Sequence, residues 1–176
     1  MAARPLSLKA RALQWLAQRE HSRVELGHKL LRLARERAAD RAKRSEAGEG
    51  ADTDCRVADP ALEVEALLDW LIANRYLSDT RFVESRVNAR AARYGNLRIR
   101  QELGQHGASP DAATADRLKD SELARAHAVW ARKYGAAPTH EARERARQMR
   151  FLAGRGFSAD VIRRVVIGGE ASDDAA

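Results

Sequence analysis

Residues 103–111 (LGQHGASPD) and residues 152–160 (LAGRGFSAD) share leucine, glycine, serine and aspartate at matching places. In both stretches the glycine suits the end of one helix and the serine suits the start of the next. A shorter match joins residues 23–27 (RVELG) with residues 100–104 (RQELG). A pattern that returns along the chain predicts three tandem units, each too small to bury a core alone.

The composition favours helices in all three units. Alanine supplies 35 residues and leucine 18, whereas valine and isoleucine together supply only 13, a balance that suits helix better than sheet. Apolar residues recur at helical spacing in nine segments, and the boundary between two neighbouring segments is predicted near Asp120 and Ser121. Ser7, Ser22 and Asp59 are suitable helix caps. The fold class is therefore predicted to be all-α, with three tandem three-helix repeats forming an elongated curved body.

The spacing of the repeats predicts the domain bounds. In the second and third units the anchor leucine lies six residues before the capping serine, but Leu26 lies 33 residues before Asp59. The first unit therefore holds an insertion rich in alanine, arginine and glutamate. The predicted bounds are 7–77 for the first repeat with an extension or loop at about 34–58, 78–118 for the second, 119–167 for the third and 168–176 for a disordered tail.

Several function classes are disfavoured. Cys55 is the single cysteine, so neither an internal disulfide nor a cysteine-based zinc site is expected. No apolar run suits a membrane span or a signal peptide, which makes the cytoplasm the expected location. No phosphate-binding glycine loop, serine nucleophile motif or histidine ligand spacing is present. The sequence thus predicts a non-enzymatic protein without catalytic residues, metal or cofactor.

The charge points to an anionic partner. The formal net charge is +7, and the stretch 86–100 contains five arginines and no acid. Without a local counter-charge these side chains would suit phosphate or carboxylate contact, while an ordinary solvent-exposed face is the alternative. The predicted contact residues, with two arginines from the third unit, are Arg86, Arg90, Arg93, Arg98, Arg100, Arg150 and Arg155. The excess of 27 arginines over 5 lysines can also reflect genomic base composition.

Two further features have more than one interpretation. Residues 97–118 have the outline of a helix-turn-helix, but a packed repeat helix is the favoured interpretation. Tyr94, inside the basic stretch, suits either packing at the rim of the core or stacking on a base. Leu97, Ile99 and Leu103 are expected to face inward from one short helix, and Leu103 and Leu152 are expected to be buried at matching positions.

The chain resembles the RecX family of recombination regulators. The resemblance rests on residues 22–26 (SRVEL), 75–82 (RYLSDTRF), 95–103 (GNLRIRQEL) and 151–158 (FLAGRGFS). It covers about residues 8 to 167 in the family's order, and the insertion is the departure from the family's usual pattern. RecX-like proteins are non-enzymatic proteins of three-helix repeats that lie along the groove of the RecA–DNA filament.

This resemblance implies a partner and an activity. It implies binding to the RecA filament and inhibition of its growth, ATP hydrolysis, strand exchange and coprotease activity. Arg98 and Arg100 lie within a matching motif, so the resemblance gives them a contact role. Direct, sequence-nonspecific binding to single- or double-stranded DNA without RecA is the main alternative, and a scaffold for another acidic protein is a third. We expect a monomer that does not bind membranes.

Overall fold

The computed structural model describes residues 6–46, 59–135 and 141–168. Within these ranges the chain forms eight α-helices and no strand, which confirms the all-α prediction. The predicted loop beyond residue 46 and the predicted tail beyond residue 168 lie outside the described residues. The helices are α1 (Leu8–Gln18), α2 (Arg23–Glu46), α3 (Pro60–Ala73), α4 (Asp79–Ala91), α5 (Asn96–Gln105), α6 (Ala112–Tyr134), α7 (Ala142–Gly154) and α8 (Ala159–Ile167).

The described chain divides into two compact units, one up to Phe82 and the other from Val83. In the first unit α1, α2 and α3 share one leucine-rich core, and burial of its apolar side chains is the main source of stability. The buried residues of this core are Leu8, Ala12, Leu26, Leu30, Ala34, Val64, Leu68, Leu71 and Leu77.

Polar side chains begin these three helices at the predicted positions. Ser7 Oγ accepts a hydrogen bond from a backbone N–H of α1 at 3.1 Å, and Ser22 Oγ does the same for α2 at 3.0 Å. Asp59 Oδ1 accepts from the start of α3 at 2.9 Å, with Pro60 in the first helical position. Each cap satisfies an N–H group that no helical carbonyl can reach.

The predicted extension at 34–58 begins as a direct continuation of α2. The helix runs to Glu46 without a break, and Ala34 is buried in the first core. The guanidinium of Arg37 donates a hydrogen bond to the backbone carbonyl of Leu6. The first part of the extension is therefore helix rather than loop.

The second unit has its own core, formed mainly by the second half of α6 with α7 and α8. Trp130, Leu152 and Phe157 are among its fully buried side chains. Leu103 of α5 is 1% exposed and Leu152 of α7 is 0% exposed, which confirms their predicted burial.

The sequence predicts nine helices, and this is wrong for the described residues. The predicted break near residues 119–121 does not occur, because α6 is one helix of 23 residues. Ser121, predicted as a cap, instead donates its hydroxyl to the carbonyl of Arg117 one turn earlier, at 2.7 Å. Serine can bond its own helix in this way instead of starting a new one. The start of α6 is capped by Asp111, whose Oδ1 accepts from Thr114 N at 2.8 Å, and not by Ser109 as the repeat predicts.

The two glycine turns of the repeat have the same backbone structure. In each, the carbonyl of the anchor leucine accepts a hydrogen bond from the N–H five residues later, at 3.0 Å for Leu103 and 3.3 Å for Leu152. Gly107 and Gly156 have φ angles of 66° and 79°, in the left-handed region that glycine adopts easily. The sequence match between the second and third units therefore corresponds to a match in structure.

An ion-pair cluster at the start of α2 links stability to pH. Arg19 and Lys29 pair with the carboxylate of Glu25, and His21 Nδ1 lies 3.1 Å from Glu25 Oε1. Burial alone would raise the pKa of Glu25, but the hydrogen bond from Arg19, the positive charge of His21 and the hydrogen bond from Lys29 outweigh it and lower the pKa to about 2. Burial of His21 lowers the pKa of its imidazole.

We expect the first unit to lose stability as the pH falls from about 4.5 to about 2. In that window the unfolded chain binds a proton at Glu25 more readily than the folded chain does, so protonation favours unfolding. The lowered pKa of His21 adds a loss of the same sign below its ordinary value of 6.5. Thermal melts across this range should show a smaller slope for Glu25→Gln than for the parent chain. Equal slopes would contradict the assignment.

Candidate functional site

The α4 arginines pair with an acid that lies outside the basic stretch. Arg86 Nη1 donates to Glu102 Oε1 at 3.3 Å, and Arg90 donates to the same oxygen through Nε at 3.1 Å and Nη2 at 3.0 Å. The prediction that 86–100 lacks a local counter-charge is therefore wrong, because Glu102 is brought back to α4 by the fold of α5. The three side chains are 25%, 38% and 21% exposed, so these ion pairs remain in contact with solvent.

Tyr94 lies at the centre of a group of three guanidinium groups. The guanidinium carbon of Arg98 is 5.0 Å from the centroid of the Tyr94 ring, that of Arg90 is 5.7 Å away and that of Arg155 is 6.0 Å away. Cations at such distances are attracted by the face of an aromatic ring. We name these four residues the Tyr94 cluster. It brings predicted contact residues from α4, α5 and the end of α7 onto one surface.

A second aromatic group continues this surface. The Phe151 ring has the guanidinium carbon of Arg155 at 4.7 Å and the ammonium nitrogen of Lys133 at 4.1 Å from its centroid. Tyr134 packs edge-on against Phe151, with 5.5 Å between the ring centroids. Arg155 thus touches both groups, and cationic and aromatic side chains alternate along the surface.

Two glycines allow the start of α5 to lie directly on the turn between α7 and α8. Gly95 N donates to the carbonyl of Arg155 at 2.9 Å, and Leu97 N donates to the carbonyl of Gly156 at 3.0 Å. A Cβ on Gly95 would lie 2.2 Å from the Gly156 oxygen, and one on Gly156 would lie 2.5 Å from Cβ of Arg98. This contact fixes Arg98 beside Arg155, although 57 positions of sequence separate them.

A polar network on the inner side of this surface holds the start of α5 in place. Glu122 is 5% exposed, and its carboxylate accepts from Asn96 N at 2.9 Å and from the Ser158 hydroxyl at 3.1 Å. Arg125 donates to the carbonyl of Tyr94 at 2.7 Å and to Asn96 Oδ1 at 2.5 Å. Burial lowers the pKa of the Arg125 guanidinium, and Glu122 partly offsets this.

The local sequence patterns did not predict this network. Its available signal was the presence of Glu122 on the same helical face as Ala126 and Val129, where an apolar residue would be usual.

The remaining predicted contact residues are Arg93, Arg100 and Arg150. The carbonyl of Arg93 accepts a hydrogen bond from Arg155 Nη1 at 3.2 Å, while the side chains of Arg100 and Arg150 are exposed. Leu97 is 60% exposed, so the prediction that it faces inward is wrong. The reason is helical geometry, because a residue two positions before the buried Ile99 lies on a different face of α5. Leu97 adds an exposed apolar contact to the cationic surface.

The surface carries side chains of the types that can hold anions and stack against planar groups. Guanidinium groups bind phosphate or carboxylate through paired hydrogen bonds, and aromatic rings offer a flat apolar contact. Among the described residues, no three histidine, cysteine, aspartate or glutamate side chains are grouped as a metal site would require. None of the helices in the described ranges has the length and apolar character needed to cross a membrane.

Comparisons with known proteins agree with the resemblance. The model of the second three-helix domain of RecX matches residues 78–115, and the model of the third three-helix domain matches residues 120–166. These matches confirm tandem three-helix domains. The predicted domain bounds stay a prediction, and the bound between residues 118 and 119 lies inside α6. The crystal structure of RecX from Lactobacillus salivarius has the same fold, with a TM-score of 0.62 at 18% identity over 91% of this chain and 92% of that one.

Sequence relatives match over nearly the whole chain. Regulatory protein RecX of Ralstonia nicotianae is 46% identical over 169 residues, which cover 95% of this chain and 91% of the relative. Regulatory protein RecX of Herminiimonas arsenicoxydans is 44% identical over 176 residues, which cover 99% of this chain and all of the relative. Identity at this level and coverage, together with the matched domains and the shared fold, shows that the chain belongs to the RecX family of regulatory proteins.

Proposed function

We propose that this chain binds the RecA–DNA filament and mainly inhibits RecA filament growth, ATP hydrolysis, strand exchange and coprotease activity, acting as a cytoplasmic monomer without an enzymatic role. The observation that carries the proposal is the surface formed by the Tyr94 cluster and Phe151 in a chain of the RecX family. A RecA filament contains a nucleic acid strand, so a partner of this kind presents regularly spaced phosphates to a basic surface.

Physical arguments support a contact role for this surface rather than a role in folding. The side chains of Arg98 and Arg100 are exposed, while the core of the second unit is apolar and lies elsewhere. Surface charges of this kind change stability by less than about 0.5 kcal/mol each. Their long-range field raises the rate of encounter with an anionic partner, and their hydrogen bonds hold the partner once it is bound.

The alternative is sequence-nonspecific DNA binding that does not require RecA. The alternation of aromatic rings and cations favours it, since single strands are bound by stacking together with charge. The two proposals differ in what the chain needs. Direct binding should occur with DNA alone and should weaken steeply with salt, whereas the filament proposal requires an effect on RecA itself.

We expect Arg98→Glu with Arg100→Glu to raise the concentration needed for half-inhibition of RecA's DNA-dependent ATPase by about tenfold or more. Each substitution replaces attraction to an anionic partner by repulsion, and the loss should be larger at low salt than at high salt. The measurement is ATP hydrolysis by RecA on single-stranded DNA against the concentration of this chain. The helical circular-dichroism signal and the melting temperature should stay nearly unchanged.

Arg143→Glu with Arg145→Glu is the matched control. It makes the same change in charge on α7, away from the Tyr94 cluster and next to Glu144, so the shift should be much smaller. If both double variants inhibit equally well, the assignment of the surface is wrong. If the parent chain changes neither the ATPase nor filament assembly, the filament proposal itself is wrong.

A further inference from the structure

A polar cleft between α4 and α5 adjoins the Tyr94 cluster. Its volume is about 510 Å³. Three arginines contribute positive charge, two glutamines and a histidine add polar groups, and one carboxylate lies among them. The lining residues are Arg86, Arg90, Arg98, Gln101, Glu102, Gln105 and His106. The cleft therefore carries more positive than negative charge.

Glu102 occupies the place that an external anion would take. Both α4 arginines donate to one of its oxygens, at 3.0 to 3.3 Å. Its side chain is 21% exposed, and those of Arg86 and Arg90 are 25% and 38% exposed. Solvent screens ion pairs with this much exposure, so an incoming anion can replace Glu102 at low cost.

The surroundings of the cleft suit a nucleic acid strand better than an acidic protein segment. Arg90 and Arg98 belong both to the cleft and to the Tyr94 cluster, so phosphate contacts and an aromatic ring lie side by side. A strand of nucleic acid carries a planar base beside every phosphate, whereas an acidic peptide has no such regular pairing of planar groups with its carboxylates.

We propose that this cleft binds the phosphodiester backbone of a DNA strand, and that Glu102 is a built-in competitor for Arg86 and Arg90 that lowers the affinity. The inference rests on the proposed function, because it assigns this part of the surface to the DNA of the filament. A charge-neutral replacement of Glu102 removes both the repulsion of the phosphates and the carboxylate that competes with them for Arg86 and Arg90. The regulator then binds DNA more tightly than its natural sequence does.

Direct DNA binding without RecA is the test. A fluorescein-labelled oligo(dT) of about 30 nucleotides is titrated with the parent chain and with Glu102→Gln, and binding is followed by fluorescence anisotropy. We expect Glu102→Gln to bind about three- to tenfold more tightly at about 50 mM salt. The slope of log affinity against log salt should steepen by about one unit between about 50 and 200 mM salt.

Glu144→Gln is the matched control. It removes the same charge from the same unit, where Glu144 pairs with Arg147 on α7 at 3.5 Å, and it should change the affinity by less than about twofold. Adding Arg86→Gln and Arg90→Gln to Glu102→Gln should abolish the gain. Circular-dichroism melts identify any variant that has lost its fold. Glu102→Asp keeps the negative charge, so it should bind DNA like the parent chain.

Three results would overturn the inference. The first is a folded Glu102→Gln variant that binds DNA no more tightly than the parent chain, and the second is an equal gain in DNA affinity from Glu144→Gln. The third is that polyglutamate displaces the labelled DNA as effectively as unlabelled oligo(dT) does. The RecA ATPase assay separates this failure from that of the proposed function. Inhibition by the parent chain without a DNA gain in Glu102→Gln refutes the competitor role alone, while a DNA gain without any effect on RecA refutes the filament proposal alone.

Discussion

Gly95→Ala is expected to lower the free energy of unfolding of the second unit by about 3 kcal/mol or more. A Cβ at this position would lie 2.2 Å from the carbonyl oxygen of Gly156 and 2.3 Å from the nitrogen of Phe157. Both are backbone atoms, so no side chain can rotate away to make room. The start of α5 must then move off the α7–α8 turn, which breaks the two backbone hydrogen bonds between them.

Chemical denaturation followed by circular dichroism measures this loss. Gly104→Ala is the control, because Gly104 is also in α5 but a Cβ there meets nothing within 4 Å. That substitution should stabilise the helix by about 0.5–1 kcal/mol. The same movement would separate Arg98 from Arg155, so any folded Gly95→Ala should also inhibit RecA less. An unchanged denaturation midpoint for Gly95→Ala would show that the close contact does not exist.

Arg125→Ala should cost about 3–5 kcal/mol of stability, because it removes a half-buried cation close to the buried carboxylate of Glu122. Its guanidinium donates to the carbonyls of Ala91 at 3.2 Å, Tyr94 at 2.7 Å and Leu118 at 2.9 Å. The first of these is the last residue of α4, so Arg125 satisfies a carbonyl that the helix itself leaves unpaired. Truncation also leaves the buried carboxylate of Glu122 without its nearby cation.

Arg132→Ala is the matched control on the same helix. Arg132 is exposed in the last turn of α6, and its loss should change stability by less than about 0.5 kcal/mol. Urea unfolding of both variants distinguishes a structural role for Arg125 from a general effect of removing positive charge. Similar midpoints for the two variants would contradict the importance of the network.

Local sequence signals predicted most of the helices. Ser7, Ser22 and Asp59 cap α1, α2 and α3 as expected, because a cap depends only on a side chain and the next three residues. The same local logic failed at Ser121. There a serine could either cap a new helix or bond the helix it lies in, and the choice depends on the packing of α6.

The candidate site was predicted in composition but not in arrangement. The basic stretch identified Arg90 and Arg98, and the third unit contributed Arg155, yet nothing in their spacing showed that all three surround Tyr94. Pairing of Glu102 with two arginines was missed as well, since it depends on the position of α5 against α4.

The sequence by itself determined the all-α class, the repeated helix–glycine–helix pattern and the surplus of arginine, because helical periodicity, caps and charge are properties of neighbouring residues. Only the tertiary structure decided that Gly95 and Gly156 let two turns touch, that Glu122 and Arg125 both bond to Asn96, and that Glu102 partly neutralises the cationic surface. These features join residues from 12 to 61 positions apart. Their partners are chosen by the packing of whole helices around the apolar core, which no local pattern specifies.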